Sequence, residues 1–239
     1  MSQNSTETPP GIDGRILYED NHLIIVNKLA GELAQGDDSE DVPMLEKVRD
    51  YIRVQKQKEG KVFCGLIHRL DRPVSGAIVF ARTSKGLDRM NNLLKAHEMH
   101  KFYWAIVEGT PKIAQQKLTN YMFKNREKNR SYVSDVEQEG WKYAELDYRV
   151  MASSERYSLL EVELHTGRHH QIRAQLSNIG HPIKGDIKYG AKRPELDASI
   201  CLHARRLHFE HPVSHEQVFV EAEPWNPLFK RILEESGQV

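Results

Sequence analysis

Two short segments concentrate the residues able to do chemistry. The first, His68-Arg69-Leu70-Asp71-Arg72-Pro73-Val74-Ser75-Gly76, carries one carboxylate with an arginine on either side. A carboxylate beside such charges stays ionised and is available as nucleophile or base. Pro73 and Gly76 mark a turn, so the acid is expected at the end of a strand. Taken alone, an Arg-x-Asp-Arg cluster more often orders a loop through an ion pair. The second segment is His165-Thr166-Gly167-Arg168-His169-His170-Gln171-Ile172-Arg173, where a Thr-Gly turn leads into an expected helix. Its first turn would carry Arg168, His169, His170 and Gln171, and cations there oppose the helix dipole. A nearby anion would account for them, since a helix start with arginines suits phosphate or carboxylate. Lys101-Phe102-Tyr103-Trp104-Ala105 adds aromatics on a strand whose neighbours face opposite ways, so one can enter a core and the next a site.

Twelve histidines make metal binding the rival use of these side chains. His165, His169 and His170, or Cys201 with His203, are the ligands one would try. The sequence has no H-E-x-x-H, no C-x-x-C and no deaminase pattern of H-x-E with P-C-x-x-C. It also lacks the phosphate-cradling G-x-x-x-x-G-K-[ST] and G-x-G-x-x-G. The expectation is an enzyme with no metal and no cofactor. A His-rich metallohydrolase is the alternative that metal analysis would reveal.

The elements that must position these residues are legible in outline. RILYEDNHLIIVNK reads as two strands around a turn at Asp20–Asn21. PMLEKVRDYIRVQKQKEG places Leu45, Val48 and Ile52 on one helical face. VFCGLI and GAIVFAR read as strands bracketing His68–Ser75. Thr83 offers an N-cap to a helix through Leu87, Met90, Leu94 and His97. HKFYWAIVEG is a strand, residues 143–150 alternate, and YSLLEVELH follows as their antiparallel partner. A helix from Arg168 would bury Ile172, Leu176 and Ile179 and stop at Gly180. ARRLHF and QVFVEAE are further strands, WNPLFKRILEE is a last helix, and Lys124–Arg130 is a loop. Many strands, few helices and no steady β-α-β alternation predict an α+β fold with a central, mostly antiparallel mixed sheet and flanking helices.

Composition sets the outer bounds. The 239 residues, 39% of them hydrophobic, suffice for one large domain with a sizeable core. No apolar run approaches the ~18 residues of a membrane helix. The polar start MSQNSTETPPGIDG lacks the layout of a secretory signal. Residues 1–13 are therefore expected as a tail, residues 14–239 as one catalytic domain, the location as cytoplasmic and the monomer as the default state. Cys64 and Cys201 sit in no paired spacing, which fits a reducing compartment and not a disulfide scaffold. The formal net charge is zero but unevenly spread: Lys61–Lys101 holds eight basic residues against three acidic, and His165–Arg193 six against one. The remainder is net −10. Both chemical motifs therefore lie in the two basic segments, which points to a polyanion site.

These residues resemble one known family, the RluA-type pseudouridine synthases. HRLDRPVSG is close to the family's H-R-L-D-x-x-[TV]-S-G stretch, and KFYWA resembles its K-x-Y-x-A strand. TGRHHQIRAQLSNIGHPIKGDIKYG resembles its T-G-R-x-H-Q-[IL]-R … H-P-I-x-G-D-x-x-Y-G stretch. The motifs stand in the family's order, and the resemblance runs from about residue 15 to about residue 230. It implies a pseudouridine synthase-like fold and isomerisation of uridine in tRNA or rRNA. By the same resemblance Asp71 is the catalytic aspartate, Tyr103 stacks on the target base and Arg173 ion-pairs with Asp71. Arg69 would fill the space left by the extruded base, with Ile172 as an apolar neighbour. Arg72, Arg168, His170, Gln171 and Lys188 are assigned to substrate or RNA contact. Leu29 departs from the proline that commonly follows Asn-Lys, and the N-terminal RNA-binding module of some relatives has no counterpart. A non-catalytic RNA-binding protein of the same fold is the second reading.

The implied roles make physical sense. A uridine must leave its stack before protein groups reach C1′ or C6, at a cost of a few kcal/mol. An aromatic platform offsets part of that cost. Breaking N1–C1′ and rejoining C1′ to C5 requires no redox change. Attack by Asp71 on C1′, attack on C6, and abstraction of the C2′ proton all remain open.

Overall fold

The run Leu23–Val26 is completely buried and forms part of the second strand in the computed structural model, which describes residues 11–37, 40–57 and 60–237. The chain begins with strands β1 (Ile16–Glu19) and β2 (Leu23–Lys28), then helix α1 (Met44–Gln55) and strands β3 (Gly65–Leu66) and β4 (Ser75–Ala81). Helix α2 (Ser84–Lys95) leads into β5 (His100–Glu108), β6 (Gln115–Asn125), β7 (Arg130–Ser134), β8 (Lys142–Ser153) and β9 (Tyr157–Leu164). Helix α3 (Gln171–Asn178), strands β10 (Leu202–Glu210) and β11 (Gln217–Glu221), and helix α4 (Leu228–Glu235) complete it.

The eleven strands among the described residues join one sheet, ordered β1-β2-β4-β10-β5-β9-β8-β6-β7, with β11 on β10 and β3 on β4. The β4–β10 pair is parallel and the other paired strands are antiparallel. Strand alternation explains the layers. Ile24, Val26, Ile78 and Phe80 face a core shared with Val48 and Ile52 of α1 and Phe229 and Ile232 of α4. Their neighbours Leu23, Ile25, Ala77 and Val79 face the other side, where Met90 of α2 packs with Phe209 and Val220. Helices therefore cover both faces of a mixed sheet, the α+β arrangement expected.

Thr83 caps α2 as its position predicts: its hydroxyl accepts the Gly86 N–H at 3.0 Å. Cys64 and Cys201 are both free and buried. Of the thirteen residues expected as a tail, 1–10 lie outside the described residues. Residues 11–13 are described, and a short 3-10 turn over Asp13–Arg15 precedes β1. No described helix is long and apolar enough to cross a membrane.

Three elements differ from expectation. VFCGLI pairs only at Gly65–Leu66, because Phe63 is exposed and the preceding residues meet no neighbouring strand. The segment Gln115–Ser134, read only as carrying a loop, is the β6–β7 hairpin that closes one end of the sheet. Helix α3 starts three residues later than its polar run suggested, for reasons that belong to the site.

Candidate active site

Asp71 lies on the turn between β3 and β4, and that turn is pinned from several directions. Its own carbonyl accepts the Val74 N–H at 3.0 Å. The Arg72 carbonyl accepts from Gly31, and the Pro73 carbonyl from Ile200. Lys28, completely buried, spends its three ammonium protons on the carbonyls of Leu29, Arg72 and Val74 at 2.9, 3.1 and 2.7 Å. Burial pushes its pKa down to about 7, against the pull of nearby Glu32 and Asp71. Leu29, where the family commonly has proline, donates its backbone N–H to Glu32 at 3.0 Å, a bond proline has no proton to make. Beyond the turn, Gly76 has φ +116°, and a Cβ there would meet the Ala204 backbone at 2.4 Å. Only glycine allows β10 to run that close to the strand leaving the catalytic turn.

The arginine at Asp71 comes from far along the chain. Arg173 Nη1 donates to Asp71 Oδ2 at 3.0 Å, across 102 residues of sequence. The rest of the guanidinium forks onto Asp186, with Nε to Oδ2 at 2.6 Å and Nη2 to Oδ1 at 2.9 Å. Burial opposes the charge on Arg173, but Asp186 and then Asp71 outweigh it and raise its pKa. The Tyr189 ring lies 5.1 Å from the guanidinium carbon and adds a cation–π contact. Asp186 therefore aims Arg173, and Arg173 in turn aims Asp71. Neither flanking arginine pairs with Asp71 among the described residues: Arg72 turns out to Asp41, and Arg69 is exposed on the cleft wall.

The segment before α3 is a locked turn and not helix. The Gln171 side chain accepts the Arg168 N–H at 2.9 Å and the Thr166 hydroxyl at 2.8 Å, and donates to the Glu145 carbonyl at 3.1 Å. Gln171 is thus engaged inside the protein, and its work is to shape the turn that Arg168, His169 and His170 share. His170 precedes the helix in the left-handed region at φ 53°, a conformation that cannot continue it. Tyr189 Oη accepts the Ser131 N–H at 2.8 Å and is hydrogen-bonded to His170 Nδ1 at 2.9 Å, which fixes the ring. Its Nε2 then points at Asp71 Oδ2 from 3.5 Å. Burial, with Arg173 adding to it, pushes the His170 pKa down to about 2, so a neutral ring faces the carboxylate.

The cleft around Asp71 has a volume of about 750 Å³ and is lined by six lysines and arginines against that single carboxylate. Tyr103 and Ile172, both nearly buried, contribute apolar wall. Burial and then Asp71 raise the Tyr103 pKa, so its phenol stays protonated. Arg69, Arg168, His170, Gln171 and Arg173 all line the cleft, together with Lys95, Lys101 and Lys124. Arg72 and Lys188 are not part of the lining: Lys188 is exposed and donates to the Asn129 carbonyl at the β6–β7 turn. Lys28, Asp186 and Tyr189 carry site geometry that the sequence reading did not assign to them. Asp186 and Tyr189 did stand inside the quoted G-D-x-x-Y-G stretch. Among the described residues no group of three or more His, Cys, Asp or Glu is placed to hold a metal ion.

Burial also makes the site acid-sensitive. It pushes His68 down to about 3, His169 to about 4, His170 to about 2 and His203 to about 4. Each remains neutral in the fold yet protonates near pH ~6.5 once unfolded. The unfolded chain then binds more protons, so this stability is complete above ~6.5 and is lost progressively as pH falls below that, down through folded values of about 4 to about 2. Thermal melts between pH 7.5 and 4.5 are expected to show a steadily falling Tm. A flat profile would contradict the burial of these rings.

The fold is that of two solved structures, titled Human RNA Pseudouridylate Synthase Domain Containing 4 and Domain Containing 1. They align with TM-scores of 0.77 and 0.71 over 95% and 93% of this chain and 94% and 89% of theirs, at 20% and 22% identity. The family described as RNA pseudouridylate synthase matches residues 22–178, and the chain belongs to it. Its motifs and relatives are those of the RluA type. An uncharacterized RNA pseudouridine synthase of Bacillus subtilis is 34% identical over 92% of this chain and 72% of its own length. A tRNA pseudouridine synthase C of Haemophilus ducreyi is 33% identical over 90% and 94%. A ribosomal large subunit pseudouridine synthase D of Zymomonas mobilis is 31% identical over 90% and 70%. Membership makes the protein an RNA pseudouridine synthase, an isomerase.

Proposed function

We propose that this enzyme converts a uridine of tRNA or rRNA to pseudouridine with Asp71 as its catalytic carboxylate, residues 14–239 acting as one catalytic domain. The observation that carries the assignment is a lone carboxylate among six cleft cations, aimed by an arginine that is itself fixed by a buried acid. The RNA class follows from relatives named for tRNA and for large-subunit rRNA.

In the reaction the N1–C1′ bond breaks, the uracil turns, and C5 bonds to C1′. C5 loses its proton and N1 gains one, so atoms balance with no outside reactant. Attack of Asp71 on C1′ or on C6, or removal of the C2′ proton, all require one carboxylate oxygen held in place at the target nucleotide. Arg173 supplies that hold by its hydrogen bond to Asp71 Oδ2, with the His170 ring packed 3.5 Å from the same oxygen. Tyr103 provides the face on which the extruded uracil stacks and turns. A pseudouridine map of total RNA from cells with and without the gene tests the reading. The expected result is one or a few tRNA or rRNA positions missing without the gene. An unchanged map would defeat it.

Tyr103 gives a separate check. Tyr103→Phe is expected to keep stacking, whereas Tyr103→Ala loses ~1–3 kcal/mol of it, roughly ten- to a hundredfold in productive capture. Single-turnover rates against RNA concentration measure this. An alanine variant matching wild type would remove Tyr103 from the base platform.

A further inference from the structure

Lys101 is unlike the other lining cations. It stands two residues before Tyr103 on β5, so both side chains leave the same face of the strand, their positions ~6.6 Å apart. Both line the cleft. Lys101 is half-buried, yet among the described residues its ammonium makes no hydrogen bond and no ion pair. Burial lowers its pKa, and no acid counteracts that. Beside it lies His68, whose buried Nε2 has no hydrogen-bond partner. The contrast with Arg173 is plain, since that guanidinium is satisfied by Asp186 and Asp71.

A cation withdrawn from water without a partner destabilises the free protein. Its natural complement carries a full charge, because a neutral base carbonyl offers a weaker Coulombic return. Lysine is suited to a phosphate as a point charge that need not match a planar fork. We propose that Lys101, with His68 beside it, binds the phosphodiester flanking the extruded uridine. One strand then holds both ends of the nucleotide, the backbone by Lys101 and the base by Tyr103. This rests on the reading of the cleft as the uridine site.

The test uses full-length Lys101→Met and a hairpin RNA carrying the mapped uridine. The phosphate 5′ or 3′ of that uridine is replaced by an uncharged methylphosphonate. Loss of one charge-assisted contact weakens RNA binding roughly ten- to a hundredfold. The methionine variant is expected to lose that much affinity while its Tm rises, because an unpaired charge has been removed. One of the two methylphosphonates is expected to weaken wild type by a similar factor and to cost Lys101→Met nothing more. Independent, additive losses would overturn the proposal. So would a lower Tm with unchanged binding, the mark of a structural lysine, or normal binding with only the chemical step lost, the mark of a contact to the base. Wild type that binds the unmodified hairpin but forms no pseudouridine would defeat the functional reading, and the binding comparison would still decide Lys101.

Discussion

Asp71→Asn is expected to lower the single-turnover rate of pseudouridine formation by roughly a thousandfold or more, at least about 4 kcal/mol of transition-state stabilisation. The substitution keeps the shape of the side chain and removes the charge, and with it the nucleophilicity or basicity that the three chemical routes require. Stability is expected to change by less than about 1 kcal/mol, because the Asp71 side chain is 30% exposed and Arg173 retains Asp186. Binding of the hairpin should also survive, since five further lining cations besides Arg173 remain in the cleft. Rate, melting temperature and RNA affinity measured on one preparation separate these effects. A folded Asp71→Asn or Asp71→Ala enzyme with near-normal turnover would remove Asp71 from the chemistry.

Arg173→Met is expected to lose both activity and stability, and for different reasons. Asp186 is 1% exposed, and losing the guanidinium leaves it a buried carboxylate without its partner. Breaking a buried pair in this way costs about 3–5 kcal/mol. Arg173→Lys should not rescue it, because an ammonium cannot fork onto Asp186 while also reaching Asp71. The double variant Arg173→Met with Asp186→Leu replaces the pair by apolar groups and should regain most of the lost stability. Its activity should stay low, as nothing then aims Asp71. Recovery of turnover along with stability would show that Arg173 is only a structural residue. A variant whose sole defect is weaker RNA binding, repaired at low salt, would place Arg173 on the RNA surface instead.

What the sequence disclosed and what it hid have physical causes. The strands of the central sheet read clearly because runs such as Leu23–Val26 and Ile78–Phe80 are buried on both faces. The β6–β7 hairpin did not, because polar residues interrupt its inward positions between Leu118, Met122 and Val133. Asn120 is buried between the Gln175 amide and Asp135, each at 2.7 Å, and Ser131 is buried against Tyr189 and His169. A periodicity argument counts such residues as outward-facing. The start of α3 was misplaced because a side chain, Gln171, closes the preceding turn, and side-chain closure leaves no apolar pattern. Asp71 stood out from its motif, and the family resemblance pointed to Arg173 as its partner, whereas the residues alone offered only the arginines adjacent in sequence, neither of which pairs with it. The partner of Asp71 is reached only once α3 packs against the sheet, and Asp186 then explains why that arginine is rigid. Lys28 was hidden for a similar reason: three backbone carbonyls make its site, and no sequence motif records them.

The most direct test of the central claim is complementation in cells lacking the gene. Wild type and Asp71→Asn, expressed to equal levels, are each returned to those cells and the pseudouridine map of total RNA is measured again. The account predicts that wild type restores the missing position or positions and that Asp71→Asn, folded and present, restores none. Restoration by Asp71→Asn would contradict it.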